Sequence, residues 1–169
     1  HGKKDLPNDD RIVLFYTDEN GKITNVAGRA LGDIKLRYVS IKVSDEKKIF
    51  GFHRLDTKRS AVVVEGQFDS FFVANCVATG DSSLYTMVEQ FPDIEWTLVW
   101  DNEPRNKEIV KQVRRAILNG YRVCIFPSEV IEKDINDMVL AGHDVNQLIK
   151  DNTYQGATAM MKFIGWNKT

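Results

Sequence analysis

Cysteine, histidine and proline are all scarce in this chain: two, three and four residues out of 169. Two cysteines exclude a disulfide-dense scaffold. With no C-x-x-C spacing and no histidine pair beside them, they also exclude a zinc module. Cys76 and Cys124 both fall inside predicted strands, which leads us to expect buried, reduced thiols in a cytosolic protein. No apolar run approaches the ~20 residues that a membrane-spanning helix needs, and no signal peptide is recognisable. The chain opens on His1-Gly2 instead of Met, so we expect it to be part of something longer. Charge of one sign is also lacking overall, the formal net being −1.

That near-neutrality conceals an asymmetry. Residues 29–59 carry nine Lys/Arg against four Asp/Glu, whereas residues 60–169 carry ten against fifteen. A basic stretch followed by an acidic one suggests a groove with one wall for phosphates and another for cations. A solvated, functionally neutral face is the plainer explanation of each charge run taken alone.

The run Ala61-Val62-Val63-Val64 has no polar break and reads as a strand buried on both faces, the inner strand of a parallel sheet. Glu65-Gly66 follows at its carboxyl end, where open α/β sheets place their ligands, and Asp69 comes one turn later on an expected helix, Phe68–Ala74. Upstream, Arg11–Tyr16 and Ile23–Leu31 flank an Asn20-Gly21 hairpin signal, and Arg37–Val43 supplies a third extended run. Downstream, strands at Asn75–Ala78, Glu95–Trp100 and Tyr121–Phe126 alternate with helices at Ser82–Gln90 and from Pro104 to Asn119-Gly120. Short helices are expected at Ile135–Ala141, Val145–Lys150 and Ala157–Ile164. This predicts α/β architecture: an antiparallel basic unit over residues 1–58, a compact Rossmann-like parallel sheet with flanking helices over 59–142, and a helical extension over 143–169. Trp96, Trp100, Phe71 and Phe72 are expected in the core, not as base-stacking platforms.

The third strand runs into Asp101-Asn102-Glu103, and the fourth leads to Lys133-Asp134-Ile135-Asn136-Asp137. Two carboxylates about 4 Å apart repel by about 4 kcal/mol at an effective dielectric near 20, so several on one rim call for raised pKa values or a cation. Oxygen ligands without His or Cys favour Mg²⁺ or Mn²⁺ over zinc, and Mg²⁺ leaves most of its positions to water and substrate phosphates. The chemistry implied is phosphoryl or nucleotidyl transfer. Asp101 and Glu103 also suit the start of the following helix, as Asp134 and Asp137 suit theirs, and the roles can coexist.

A strand ending in Glu-Gly with Asp a turn later, then a strand ending in a D-x-D-type motif, resembles the Toprim domain of primases, topoisomerases, certain nucleases and RecR-type repair proteins. The segment KDIND and the upstream half, with its N-G hairpin, GRAL, Arg37-Tyr38 and IFGFHRLD, are similar to primases of the bacterial and tailed-phage type. The similarity spans roughly residues 11–142. It implies a DNA primase catalytic core: a nucleotidyltransferase that uses Mg²⁺ (or Mn²⁺) to make RNA primers during DNA replication. By that resemblance Glu65, Asp101 and Glu103 are catalytic acids and metal ligands, and Asp69, Asp134 and Asp137 complete the metal set. Arg29, Lys35, Arg37, Lys47, Lys48 and Lys133 fall where nucleotide or template phosphates bind. Glu103 departs from the family's Asp by one methylene. The implied partners are single-stranded DNA template, ribonucleoside triphosphates and a replicative helicase contacted by regions outside these residues, with no membrane. The implied location is the cytoplasm, the host's if the chain is phage-encoded. The alternatives are a Toprim nuclease or topoisomerase fragment, or a non-catalytic scaffold that binds nucleic acid.

Overall fold

A computed structural model describes residues 8–46, 48–80 and 83–169. The chain begins with an antiparallel sheet of β1 (Arg11–Thr17), β2 (Ile23–Ala30) and β3 (Tyr38–Lys42), in that spatial order. The Asn20-Gly21 signal is realised: the Asp18 carboxylate accepts from the backbone N–H of both Asn20 and Lys22, and Gly21 takes φ 80°, a conformation that a Cβ disfavours. Pairing sets Leu14 opposite Ala27 and Tyr16 opposite Asn25, and Leu14, Tyr16 and Ala27 are buried. Val13, Phe15 and Ile41 are exposed.

The larger sheet has six strands, β4 (Ile49–Phe50), β5 (Ala61–Val64), β6 (Cys76–Thr79), β7 (Trp96–Leu98), β8 (Arg122–Cys124) and β9 (Thr153–Tyr154), arranged 4-6-5-7-8-9. β5 lies between β6 and β7 and pairs parallel with both, so the uninterrupted valine run is the inner strand its composition predicts. β4 and β9 close the edges antiparallel. The two-residue β9 has no sequence signal of its own; it follows from helix packing that returns the chain alongside β8.

Helices α1 (Leu84–Val88), α2 (Lys107–Leu118) and α5 (Gly156–Trp166) cover one face of this sheet, where Val63, Val77, Leu98 and Val123 meet Met87, Val113, Ala116 and Phe163. Helices α3 (Ile135–Leu140) and α4 (Val145–Asp151) cover the other face together with the small sheet, whose Leu14, Tyr16 and Ala27 join Val64, Ala78, Val99, Met138 and Ile149. Tyr16 meets Phe50 edge-on at 5.5 Å, and Gln67 Nε2 donates to the Tyr16 hydroxyl at 2.7 Å. One buried layer therefore fixes the antiparallel unit against the strand that carries Glu65. Both cysteines are buried and unpaired, and burial pushes both thiols up. Among the described residues no helix is long and apolar enough to cross a membrane.

Three expectations need correction. The helix expected at Phe68–Ala74 is a single 3-10 turn, Asp69–Phe71, because the chain must re-enter the sheet at Cys76 and turns at Asn75 with φ 47°. Phe71 and Phe72 on that turn are 53% and 40% exposed, not core, whereas Trp96 and Trp100 are buried as expected. α2 starts at Lys107, not Pro104, capped by the Asn106 side chain, because the backbone from Asn102 to Asn106 is engaged in tighter turns. α1 is capped by Ser83; the expected first residue, Ser82, lies outside the described residues.

Candidate metal and nucleotide site

The acids assemble at the carboxyl ends of β5 and β7. β5 ends at Val64, so Glu65 is the first residue off a buried strand, and its Oε2 accepts the backbone N–H of Asp101 at 3.3 Å. Adjacent parallel strands place these two segments side by side, and Val99 N–H donates to Val63 O just below them. Asp69 folds back from the 3-10 turn, where its Oδ1 accepts from Asn136 N–H at 2.9 Å, joining the first acidic cluster to the third. Lys133 reaches in from the loop before α3, with Nζ 3.7 Å from Asp101 Oδ2 and 3.5 Å from Glu103 Oε1.

The electrostatics follow from crowding like charges in a half-buried place. Burial raises the Glu65 carboxyl, with the charges of Asp101 and Glu103 adding to it against the hydrogen bond from Asp101 N–H. Burial also raises Asp101, and Lys133 pulls the other way. Asp69 is pushed up to about 6, first by burial and then by Asp134, Asp101 and Asp137, with the Asn136 hydrogen bond opposing. Lys133 is itself held above its ordinary value, chiefly by Glu103.

A carboxyl raised in the folded state destabilises the fold once both states are ionised. Between the unfolded value near 3.8 and the folded value near 6 the native chain binds more protons, so this contribution costs stability as pH rises through that window. Asp69→Asn keeps an acceptor for Asn136 N–H. It is expected to match the parent below about pH 4 and to exceed it above pH 6 by about 1–3 kcal/mol, discounted for partial exposure. Paired melts across pH 4–8 in metal-free buffer measure this, and parallel curves would contradict it.

Gly66 is required by space and not by dihedral angle. A Cβ built there would stand 2.1 Å from Asp69 Oδ2. Gly66→Ala is expected to leave the sheet folded but to expel the Asp69 carboxylate from its bond to Asn136. The predicted Tm falls by a few degrees and the pH-dependent difference at Asp69 disappears, which the same melts report.

Not every predicted site residue joins the rim. Asp134 caps α3, accepting from Asp137 N–H at 2.8 Å, and Asp137 is exposed in the first turn of that helix. Glu103 stays on the rim against Lys133 and also accepts from Asn106 Nδ2, so it braces the cap of α2 without being the cap. Among the described residues no three Asp, Glu, His or Cys side chains gather tightly enough to cage a metal by themselves. On the basic side, Lys133 pairs with the acids directly, and Arg29 reaches the loop that follows Glu65. Its guanidinium lies 5.4 Å from the Tyr38 ring and 5.0 Å from the Phe68 ring, and it donates to the Tyr38 hydroxyl at 2.7 Å. Phe68 belongs to the Glu65–Asp69 loop, so that contact links the small sheet to the acidic rim. Lys48 packs over Tyr16 and donates to Ser40. Lys35 and Arg37 are exposed, and Lys47 lies outside the described residues.

Sequence reasoning passed over two residues. Asn102, between the two acids, donates from Nδ2 to the carbonyls of Val130 and Glu132 at 2.9 and 3.1 Å, and its Oδ1 accepts from Trp166 Nε1 at 2.9 Å. Its own N–H donates to Lys133 O at 2.6 Å. It thereby holds the loop that presents Lys133. Its place as the middle letter of D-N-E was the one available signal. Arg54 donates to Ser70 Oγ at 2.8 Å and lies over Phe50 and Phe71, propping the turn that carries Asp69. Its place within IFGFHRLD was the one signal for it.

The fold defines a class: a parallel-rich sheet with an antiparallel unit packed on it, the architecture of bacterial and phage primase catalytic cores. In sequence, the chain is 32% identical to the DNA primase of Enterobacteria phage T4 over 98% of its own length and 50% of the relative's. It thus spans about half of that curated relative. The E. coli primase catalytic core superposes with a TM-score of 0.66 at 16% identity, covering 89% of this chain and 55% of that one. The primase fragment of the bacteriophage T7 primase-helicase protein gives 0.62 at 23%, covering 83% and 60%. The DnaG primase catalytic domain bound to single-stranded DNA gives 0.60 at 17%, covering 80% and 49%. No family model matches the chain. The primase-core resemblance and the α/β fold read from the motifs are borne out.

Proposed function

We propose that the chain is the catalytic portion of a DNA primase, joining ribonucleotides on a single-stranded DNA template by metal-dependent nucleotidyl transfer. One observation carries the reading. Glu65 and the Asp101–Glu103 pair, which lie far apart in sequence, meet at one sheet edge with Lys133 against Asp101 and Glu103. The likeness over nearly the whole chain to a phage DNA primase supports it.

The donor set fits Mg²⁺ or Mn²⁺. All its side chains are oxygen ligands, burial and mutual repulsion leave several carboxyls raised, and an ion of this kind needs only one or two of them. Glu65, Asp101 and Glu103 would hold it, with Asp69, Asp134 and Asp137 in support. Bound there, it would neutralise the triphosphate and lower the pKa of the attacking 3′-hydroxyl.

The protein's own groups do the rest. Lys133, already paired with two acids, would turn to an incoming phosphate. Arg29, positioned by its aromatic neighbours, would offer its remaining donors to the nucleotide. Lys35, Arg37, Lys47 and Lys48 would track the template backbone, giving affinity that weakens with salt. A replicative helicase would be engaged outside these residues, and the work would take place in the cytoplasm, the host's if the chain is phage-encoded.

The test is primer synthesis on single-stranded DNA with ribonucleoside triphosphates, alongside melting with and without Mn²⁺. Template-dependent RNA and a higher Tm in Mn²⁺ are expected. A metal-indifferent Tm with no product would point instead to a nucleic-acid-binding scaffold, and DNA cleavage would point to a nuclease.

A further inference from the structure

A groove of ≈ 1160 Å³ opens beside the acidic rim, bounded by the Glu103–Asn106 turn, the loop after β8 and helix α5. It exceeds the roughly 300–1,000 Å³ that encloses a single small ligand. Glu103 and Lys133 form part of its lining, so it is continuous with the site above. Its charged lining is Arg105, Lys133, Lys162 and Lys168 against Glu103 and Glu129, a positive excess within the half of the chain that is otherwise acidic. Lys168 N–H donates to Pro104 O, which brings Lys168 alongside Arg105 on one wall. Lys162, on α5, lies 5.2 Å from the Tyr154 ring. Trp166 is half-buried and held by Asn102, while Ile131 is 85% exposed and Met161 70%. Cations interleaved with aromatic and bare aliphatic side chains match what a single strand requires: charges for its phosphates and flat or apolar surface for its bases.

We propose that this groove binds a single-stranded polynucleotide, which passes from the acidic rim along Arg105, Lys168, Lys162 and Tyr154, with bases against Trp166. The proposal rests on the function above for the source of the strand, but its binding chemistry is independent of catalysis.

Trp166 supplies a local readout, because the other two tryptophans, Trp96 and Trp100, are only 3% and 4% exposed. A twelve-residue oligothymidylate titrated in EDTA should quench Trp166 fluorescence, and Trp166→Phe should abolish the quenching. Replacing Arg105, Lys162 and Lys168 together by Glu should weaken binding tenfold or more near 0.1 M salt. It should also reduce the slope of log affinity against log salt by about 2, at about 0.7 per phosphate contact. Melting checks that the triple variant folds, and Lys162→Glu alone, at an exposed position of α5, serves if it does not, with a proportionately smaller change. Unchanged affinity and slope would overturn the proposal. Quenching that persists in Trp166→Phe would also overturn it, as would equal quenching by thymidine monophosphate at matched concentration. Asp101→Asn should retain the quenching. A protein that makes no primers yet behaves this way loses the function and keeps the groove, and the converse pattern loses only the groove.

Discussion

Glu65→Gln is expected to cut primer synthesis on the order of 10³-fold while leaving the melting temperature unchanged or slightly raised in metal-free buffer. Gln matches Glu in size and keeps an oxygen to accept Asp101 N–H, so the strand-end geometry survives. What disappears is one negative charge from a place where burial and the charges of Asp101 and Glu103 already disfavour it. Removing that repulsion cannot weaken the fold, and this is the usual exchange of stability against function at a polar site. Added Mn²⁺ should raise the Tm of the parent and much less that of the variant. Asp101→Asn should behave alike, with Lys133 left facing Glu103 alone. Synthesis within threefold of the parent by either variant would remove these acids from the reaction.

Asn102→Ala is expected to do the opposite and lower both stability and activity. It strands the carbonyls of Val130 and Glu132 and the Trp166 indole N–H. Three lost hydrogen bonds in a half-buried place cost about 2–4 kcal/mol together, which for a chain of this size corresponds to a Tm lower by about 5–15 °C. The loop that presents Lys133 keeps its backbone bond to residue 102 and the Glu132–His143 contact but loses both side-chain anchors on its carbonyls, so Lys133 is held less firmly at its distance to Asp101 and Glu103. Synthesis should fall even at temperatures where the variant is fully folded. Asn102→Asp gives a second comparison: it keeps an acceptor for Trp166 but sets a carboxylate against two carbonyls. A variant as stable as the parent would show that the loop is held by other contacts.

The two variants also separate what each residue does. Glu65 contributes a charge whose loss is felt by a ligand. Asn102 contributes position, and its loss is felt first by the fold. Coupling between them in a double variant should be small for stability, since their partners differ, and large for synthesis, since both act on the same rim.

Much of this was legible along the chain. The unbroken Ala61–Val64 run specifies an inner strand whatever surrounds it, because only a position covered on both faces removes so many apolar side chains from water. Asn20-Gly21 specifies its turn, because positive φ is a local property, and the acids were legible as chemistry because residue type and strand-end position are both written in the sequence. The three-dimensional arrangement decided the rest. The turn at Asp69 is one 3-10 loop and not a helix, because the return to Cys76 and the packing of Arg54 leave no length for more. Phe71 and Phe72 face outward for the same reason. The contacts of Asn102 and of β9 could not be read locally because their partners, at Val130, Glu132, Trp166 and β8, lie more than 25 residues away. Local propensity and periodicity report the energetics of a chain with its near neighbours. A hydrogen bond to a distant loop exists only once the sheet has brought the two segments together.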